Sequence, residues 1–150
     1  MAGQTFRIAP PIFAAARKTL SDKIDHFGYV AERAEYEKIL ARADIIVSTA
    51  RHEFFGLSIL EAIAARCYPL LPNRLSYPEL IPASLRHQHL YQSPAELREK
   101  LTNLCHNGVP SLSPDLYESV TALAWPHLIG RYDEAFEKFK DREKNLPPLV

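Results

Sequence analysis

The run Asp44-Ile45-Ile46-Val47-Ser48, followed one helix-length later by Cys67-Tyr68-Pro69-Leu70-Leu71, constrains the fold more than any other feature of the chain. A short, continuously apolar run has no polar alternate positions to show to water, so each predicts a strand buried on both faces of a parallel sheet. Between them, Gly56 to Arg66 carries Leu57, Leu60, Ile63 and Ala64 at helical spacing, a stripe predicted to face inward. Strand, helix, strand in that order is the crossover unit of an α/β sheet.

The flanking segments continue the alternation. Pro10 and Pro11 suit a first helical turn, and Phe13, Ala16 and Leu20 follow at helical spacing. Ile24 to Tyr29 reads as a short strand ending at Gly28, and Glu32 to Ala43 as a helix with Tyr36, Ile39, Leu40 and Ala43 on one face. After a loop holding Pro72, Pro78 and Pro82, a strand is expected near His89 to Tyr91. Ser93-Pro94-Ala95-Glu96 is a capping box opening a helix that ends near Asn107-Gly108. Helices from Pro114 to Leu123 and from Pro126 to Arg142 complete the pattern. The expected fold is α/β: a Rossmann-like open parallel sheet flanked by helices, one domain over residues 1–144, with 145–150 a frayed tail.

Charge excludes some partners. The 18 basic and 18 acidic residues cancel, so no global field favours nucleic acid or an anionic membrane, and any anion must be gripped locally. Cys67 and Cys105 form no CxxC pair and are read as free core thiols of a reducing compartment. Neither a secretory leader pattern nor an 18-residue apolar run occurs, so a soluble, cytoplasmic protein is expected.

In open parallel sheets a ligand sits beyond the carboxyl ends of the strands, and His52-Glu53-Phe54-Phe55-Gly56 lies on such a loop. The amides of Phe55, Gly56 and Leu57 are expected as unpaired donors at a helix start, where the dipole also favours phosphate. Gly56 permits close approach of a ligand to the backbone. Glu53 before the helix and Glu61 within it are acceptors for hydroxyls on either side of that phosphate, the outline of a nucleotide sugar. The plainer alternative is a dipole-stabilising Glu53 and a solvated Glu61.

These residues resemble a known family. Phe27-Gly28-Tyr29-Val30, the acidic helix to Ala43-Asp44, Glu53-Phe54-Phe55-Gly56-Leu57, Leu60-Glu61-Ala62 and Tyr77-Pro78-Glu79 look like the carboxyl-terminal domain of a GT-B retaining glycosyltransferase of family 4, with its EX7E motif from Glu53 to Glu61. Within it, His52 to Gly56, Cys67-Tyr68-Pro69-Leu70 and the stretch Phe6 to Leu20 look most like the branch that mannosylates queuosine in tRNA. The resemblance implies that Glu53 meets the transferred sugar and Glu61 the nucleotide ribose, with the amides of Phe55, Gly56 and Leu57 at the sugar and diphosphate. It places Tyr29, Val30 and Glu32 beside the base. It also implies metal-independent transfer of mannose from GDP-mannose with retained configuration, no cofactor, and tRNA as acceptor. His52 is assigned to the same site, touching the sugar or capping the turn.

Family members also carry an acceptor-binding amino-terminal domain, and their donor domain opens with a strand and helix for which Met1 to Thr5 is too short. The chain therefore reads as a truncated donor domain, inactive alone, whose incomplete sheet invites pairing between copies. The alternative is a non-catalytic α/β module that binds a nucleotide or oligomerises. A phosphatase or kinase would need a P-loop or an activated nucleophile, and neither is present.

The remaining side chains draw ordinary readings. His87 and His89 are expected on one strand face without a third ligand, so no metal is assigned to them or to His26, His106 or His127. Arg51 is read as a phosphate contact or a solvated side chain. Trp125 is read as a core or inter-domain plug, and Tyr132, Phe136 and Phe139 as a core-facing helical stripe. Arg86, His87 and His89 are too few for an RNA-binding patch.

Overall fold

The structure, a computed structural model, describes residues 10–144, with side chains to residue 140. The proposed tail 145–150 and the segment before Pro10 lie outside the described residues. The chain divides into two compact units, Met1–Ala43 and Asp44–Val150.

In the first unit, helix α1 spans Pro11–Thr19 with Pro11 at its first position, and α2 spans Arg33–Ala41. Neither helix contains a buried residue. A 3-10 turn at Ser21–Lys23 leads into a small aromatic cluster. There Phe13 meets Phe27 edge to face at 6.4 Å, and the Arg17 guanidinium lies 4.9 Å from the Phe27 ring centre. The expected strand Ile24 to Tyr29 does not form, apart from a one-residue bridge at Gly28. A His26 ring nitrogen hydrogen-bonds the Gly28 carbonyl at 3.0 Å, and Gly28 sits at φ +118°. Among the described residues the run therefore has no continuous ladder, only the single bridge at Gly28.

The second unit holds the expected α/β fold, an open parallel sheet flanked by helices. Strands β1 (Ile45–Val47), β2 (Tyr68–Pro72) and β3 (Leu90–Tyr91) lie side by side in that order. Ile46 faces Pro69, and Leu71 faces Leu90. The connecting elements are α3 (Leu57–Ala64), α4 (Tyr77–Leu80) and α5 (Arg86–His89), followed by α6 (Pro94–Asn107), α7 (Pro114–Thr121) and α8 (Trp125–Lys144).

Every residue of the central strand β2 is buried, as its unbroken apolar run predicts. Strand β1 is half-buried with Val47 exposed, because among the described residues it lies at the edge of the sheet, paired only to β2. The core joins Ile59, Leu60 and Ile63 of α3 to Leu71, Leu90 and Leu116. The inward face of α3 is therefore rotated from the expected one. Ile59, Leu60, Ala62 and Ile63 are buried, whereas Leu57 is 66% exposed and Ala64 is open. The helix is wedged between the sheet and α7, so two adjacent stripes are covered rather than one.

Other side chains depart from expectation for equally local reasons. Cys67 is buried and Cys105, on the outer side of α6, is exposed; both are free thiols. His87 and His89 lie on the short helix α5 and share no strand face. His89 is buried, with Nδ1 bonded to the Pro69 carbonyl at 3.0 Å and its ring 4.4 Å from that of Tyr68. Trp125, Tyr132, Phe136 and Phe139 are exposed along α8 instead of entering the core, with Tyr132 in ring contact with both Trp125 and Phe136. No helix among the described residues is long and apolar enough to cross a membrane.

Candidate functional site

The carboxyl ends of the three strands deliver three loops. They are residues 48–56 after β1, 73–76 after β2, and 92–93 after β3. The first ends at Gly56, which adopts φ +85° immediately before α3. A side chain there would meet Leu80 Cδ1 at 3.4 Å and Tyr77 Cε1 at 3.5 Å, so the open side of Gly56 is turned toward Leu80 and the Tyr77 ring. Within α3, the Gly56 carbonyl accepts from the amides of Ile59 and Leu60. The Leu57 and Ser58 amides, two residues earlier, have no intrahelical acceptor and point out of the helix start.

Glu53 is bound to the turn itself. Its Oε1 accepts from the Phe54 and Gly56 amides, each at 3.0 Å. The Gly56 amide is therefore occupied, unlike the open donor expected, while Oε2 is left to accept a hydroxyl. Phe54 is 99% exposed, and Phe55 and Leu57 are also open. His52 and Arg51 are exposed beside them. Glu61 is the fifth residue of α3, about one turn into the helix. It lines a cavity of about 470 Å³ together with Phe55, Leu57, Leu60, Trp125 and Tyr132. Trp125 and Tyr132, read from the sequence as core, thus wall the cavity that holds this carboxylate.

Tyr29, Val30 and Glu32 belong to the first unit. Tyr29 is exposed and Val30 half-buried. The Glu32 carbonyl caps α2 by accepting from the Glu35 and Tyr36 amides, both at 3.1 Å.

Four residues that sequence reasoning left without a role hold the loop after β1. Ser48 Oγ and Tyr77 Oη share a 2.8 Å hydrogen bond in the buried interior, and Ser48 Oγ also accepts from the Ala50 amide at 3.2 Å. Tyr91 Oη donates to the Ser48 carbonyl at 2.7 Å. Arg74 donates through Nε and Nη2 to the Ala50 carbonyl at 3.2 and 3.0 Å. Both polar groups of Ala50 are thereby met by side chains. The turn that brings Arg74 there passes through Leu75 at φ +61°, a left-handed conformation that disfavours a residue with a side chain by about 1–2 kcal/mol. Burial pushes the phenols of Tyr77 and Tyr91 above their ordinary range, so both stay protonated at neutral pH.

Among the described residues, no three His, Cys, Asp or Glu side chains gather as a metal site would require. An open parallel sheet, with a left-handed glycine at a helix start beyond its first strand and carboxylates on either side of that turn, defines a Rossmann-like α/β protein.

Comparison with known proteins narrows the class. Residues 11–118 match the family model of the glycosyl transferases group 1, and the chain belongs to that family, whose domain is of the GT-B type. It is 42% identical over 103 residues to the tRNA-queuosine alpha-mannosyltransferase of Drosophila melanogaster, covering 69% of this chain and 26% of that protein. The chain thus spans about a quarter of that relative's length.

Proposed function

We propose that the chain is the donor-binding part of a retaining glycosyltransferase that moves mannose from GDP-mannose to queuosine in tRNA. The observation that carries the reading is the turn from Glu53 to Leu57: an oriented carboxylate, a left-handed glycine and open helix-start amides beyond a parallel strand. Glu53 Oε1 is held by two amides, which presents Oε2 to a sugar hydroxyl. The Leu57 amide and the α3 dipole favour the diphosphate, most of all as it gains charge on leaving. Glu61 accepts from the ribose hydroxyls, in a cavity lined mostly by apolar side chains.

In this reading the phosphate charge is met by amides and basic side chains instead of a cation. Tyr29, Val30 and Glu32 border the base, and His52 lies at the sugar. The protein works in the cytoplasm, with an acceptor-binding domain handling the tRNA, and the chain alone transfers no mannose. Resemblance to the queuosine mannosyltransferase supports the sugar and acceptor.

Calorimetric titration of GDP and UDP into the chain and into Glu61→Ala tests the reading. Saturable GDP binding, absent with UDP and weakened roughly tenfold by the substitution, is expected from the loss of one charge-assisted hydroxyl contact. A folded chain that binds neither nucleotide would overturn it.

A further inference from the structure

The hydroxyl of Tyr77 has no work to do for the core. Its ring is 1% exposed and belongs to the apolar cluster with Leu80, Ile81 and Leu60, a place that phenylalanine would fill equally well. A buried phenol needs a partner, and any nearby carbonyl would satisfy it. The partner here is the side chain of Ser48, the first residue beyond β1, on the loop that carries Glu53.

Every polar group of Ser48 is engaged by another part of the carboxyl edge. Its amide donates to the Leu70 carbonyl of β2 at 3.1 Å, its carbonyl accepts from Tyr91 of β3, and its hydroxyl joins Tyr77 to the Ala50 amide. Tyr77 also lies near the other end of the loop, since a Cβ added at Gly56 would come within 3.5 Å of its ring, and Glu53 closes back onto Gly56. One side chain therefore bonds the residue before the eight-residue excursion from Thr49 to Gly56 and lies beside its last residue. The hydroxyl fixes where the loop departs from the sheet.

We propose that Tyr77 is a positioning residue, whose hydroxyl, acting through Ser48, holds the Glu53 loop and the first amides of α3 in the arrangement that receives the nucleotide sugar. The ligand part rests on the donor-binding reading above; the ordering of the loop does not. Preorganised donors avoid the cost of ordering at the moment of binding, so loosening the clamp lowers affinity without removing any group that touches ligand.

The test compares Tyr77→Phe, Ser48→Ala and the double variant with the unaltered chain. Amide hydrogen exchange is read at Ala50, Phe54 and Gly56, and at Leu101 in the middle of α6 as a reporter of global opening. Exchange in the loop is expected to rise about tenfold in each single variant, the factor a buried hydroxyl hydrogen bond is worth, while Leu101 changes much less. Ser48→Ala also removes the bond to the Ala50 amide, so the double variant is expected to match Ser48→Ala, and Phe54 and Gly56 are the positions at which Tyr77→Phe and Ser48→Ala are compared. GDP affinity should fall by a similar factor in Tyr77→Phe. Loop and α6 exchange rising in parallel would show a purely structural tyrosine and overturn the proposal, as would unchanged loop exchange. If the unaltered chain binds no GDP, the donor reading fails, and loop exchange still decides whether Tyr77 positions the loop.

Discussion

Gly56 and Gly130 offer the same chemical change, one added methyl group, in opposite backbone settings of the same unit. Gly56 sits at φ +85°, where an L-residue is disfavoured by about 1–2 kcal/mol. The new Cβ would lie 3.4 Å from Leu80 Cδ1 and 3.5 Å from Tyr77 Cε1, ordinary contact that adds little strain of its own. Alanine also restricts the unfolded chain, which returns roughly 0.4–1 kcal/mol. Gly56→Ala is therefore expected to lower stability by about 1 kcal/mol. Gly130 lies inside α8, with no neighbour within 4 Å of an added Cβ. There alanine is expected to raise stability by about 0.5–1 kcal/mol through helix propensity. Urea unfolding followed by circular dichroism, with equal slopes in the three proteins, reads the difference directly. A Gly56→Ala protein as stable as the parent would refute the left-handed turn, and with it the direction assigned to the Leu57 amide.

Two serines before helices should behave oppositely. Ser93 Oγ accepts from the Glu96 amide at 3.2 Å, so Ser93→Ala is expected to cost about 1 kcal/mol in thermal or urea unfolding, whereas the buried, unpartnered hydroxyl of Ser76 makes Ser76→Ala neutral or stabilising by up to about 1 kcal/mol. Burial lowers the pKa of His89, opposed by its bond to the Pro69 carbonyl and aided by Lys100 and His87. The unfolded chain then binds the extra proton first, so stability should be full above the ordinary histidine value near 6.5 and decline as pH falls towards the depressed one; His89→Gln should flatten that limb in a pH series of unfolding curves. Glu96 is lowered by the Gln92 amide and by Lys100, so its contribution is present above the ordinary glutamate range and lost as pH falls below it, an acid limb that Glu96→Gln should remove.

The parallel sheet was legible because its central strand is a continuous apolar run and its helices begin at recognisable caps. Ser93 with Glu96, and proline at the first turns of α1, α6 and α7, state helix starts in local chemistry that tertiary contacts do not alter. Faces were less legible. Spacing alone put Leu57 and Ala64 of α3 inward and the aromatic stripe of α8 in the core, but which stripe is covered depends on where α7 and the sheet lie. Ile24 to Tyr29 had the composition of a strand, yet among the described residues it forms only the single bridge at Gly28, beside a local His26 bond to the Gly28 carbonyl.

At the site, the carboxylates and the glycine could be found because their chemistry is compressed into one short run of sequence. The clamp could not, because its bonds join residues 24, 29 and 43 positions apart. Nothing in Ser48, Arg74, Tyr77 or Tyr91 taken singly departs from an ordinary strand-end serine, solvated arginine or core tyrosine. What marks them is the group each one meets. Arg74 places its guanidinium on a backbone carbonyl, and both tyrosines send their hydroxyls to Ser48. The loop that carries Glu53 presents exposed apolar side chains at Phe54, Phe55 and Leu57, so it has little apolar burial of its own to keep it ordered. Its order must come from polar bonds made at its base. In the structure those bonds converge on Ser48 and Ala50, where removal of a single hydroxyl should be felt across the whole loop.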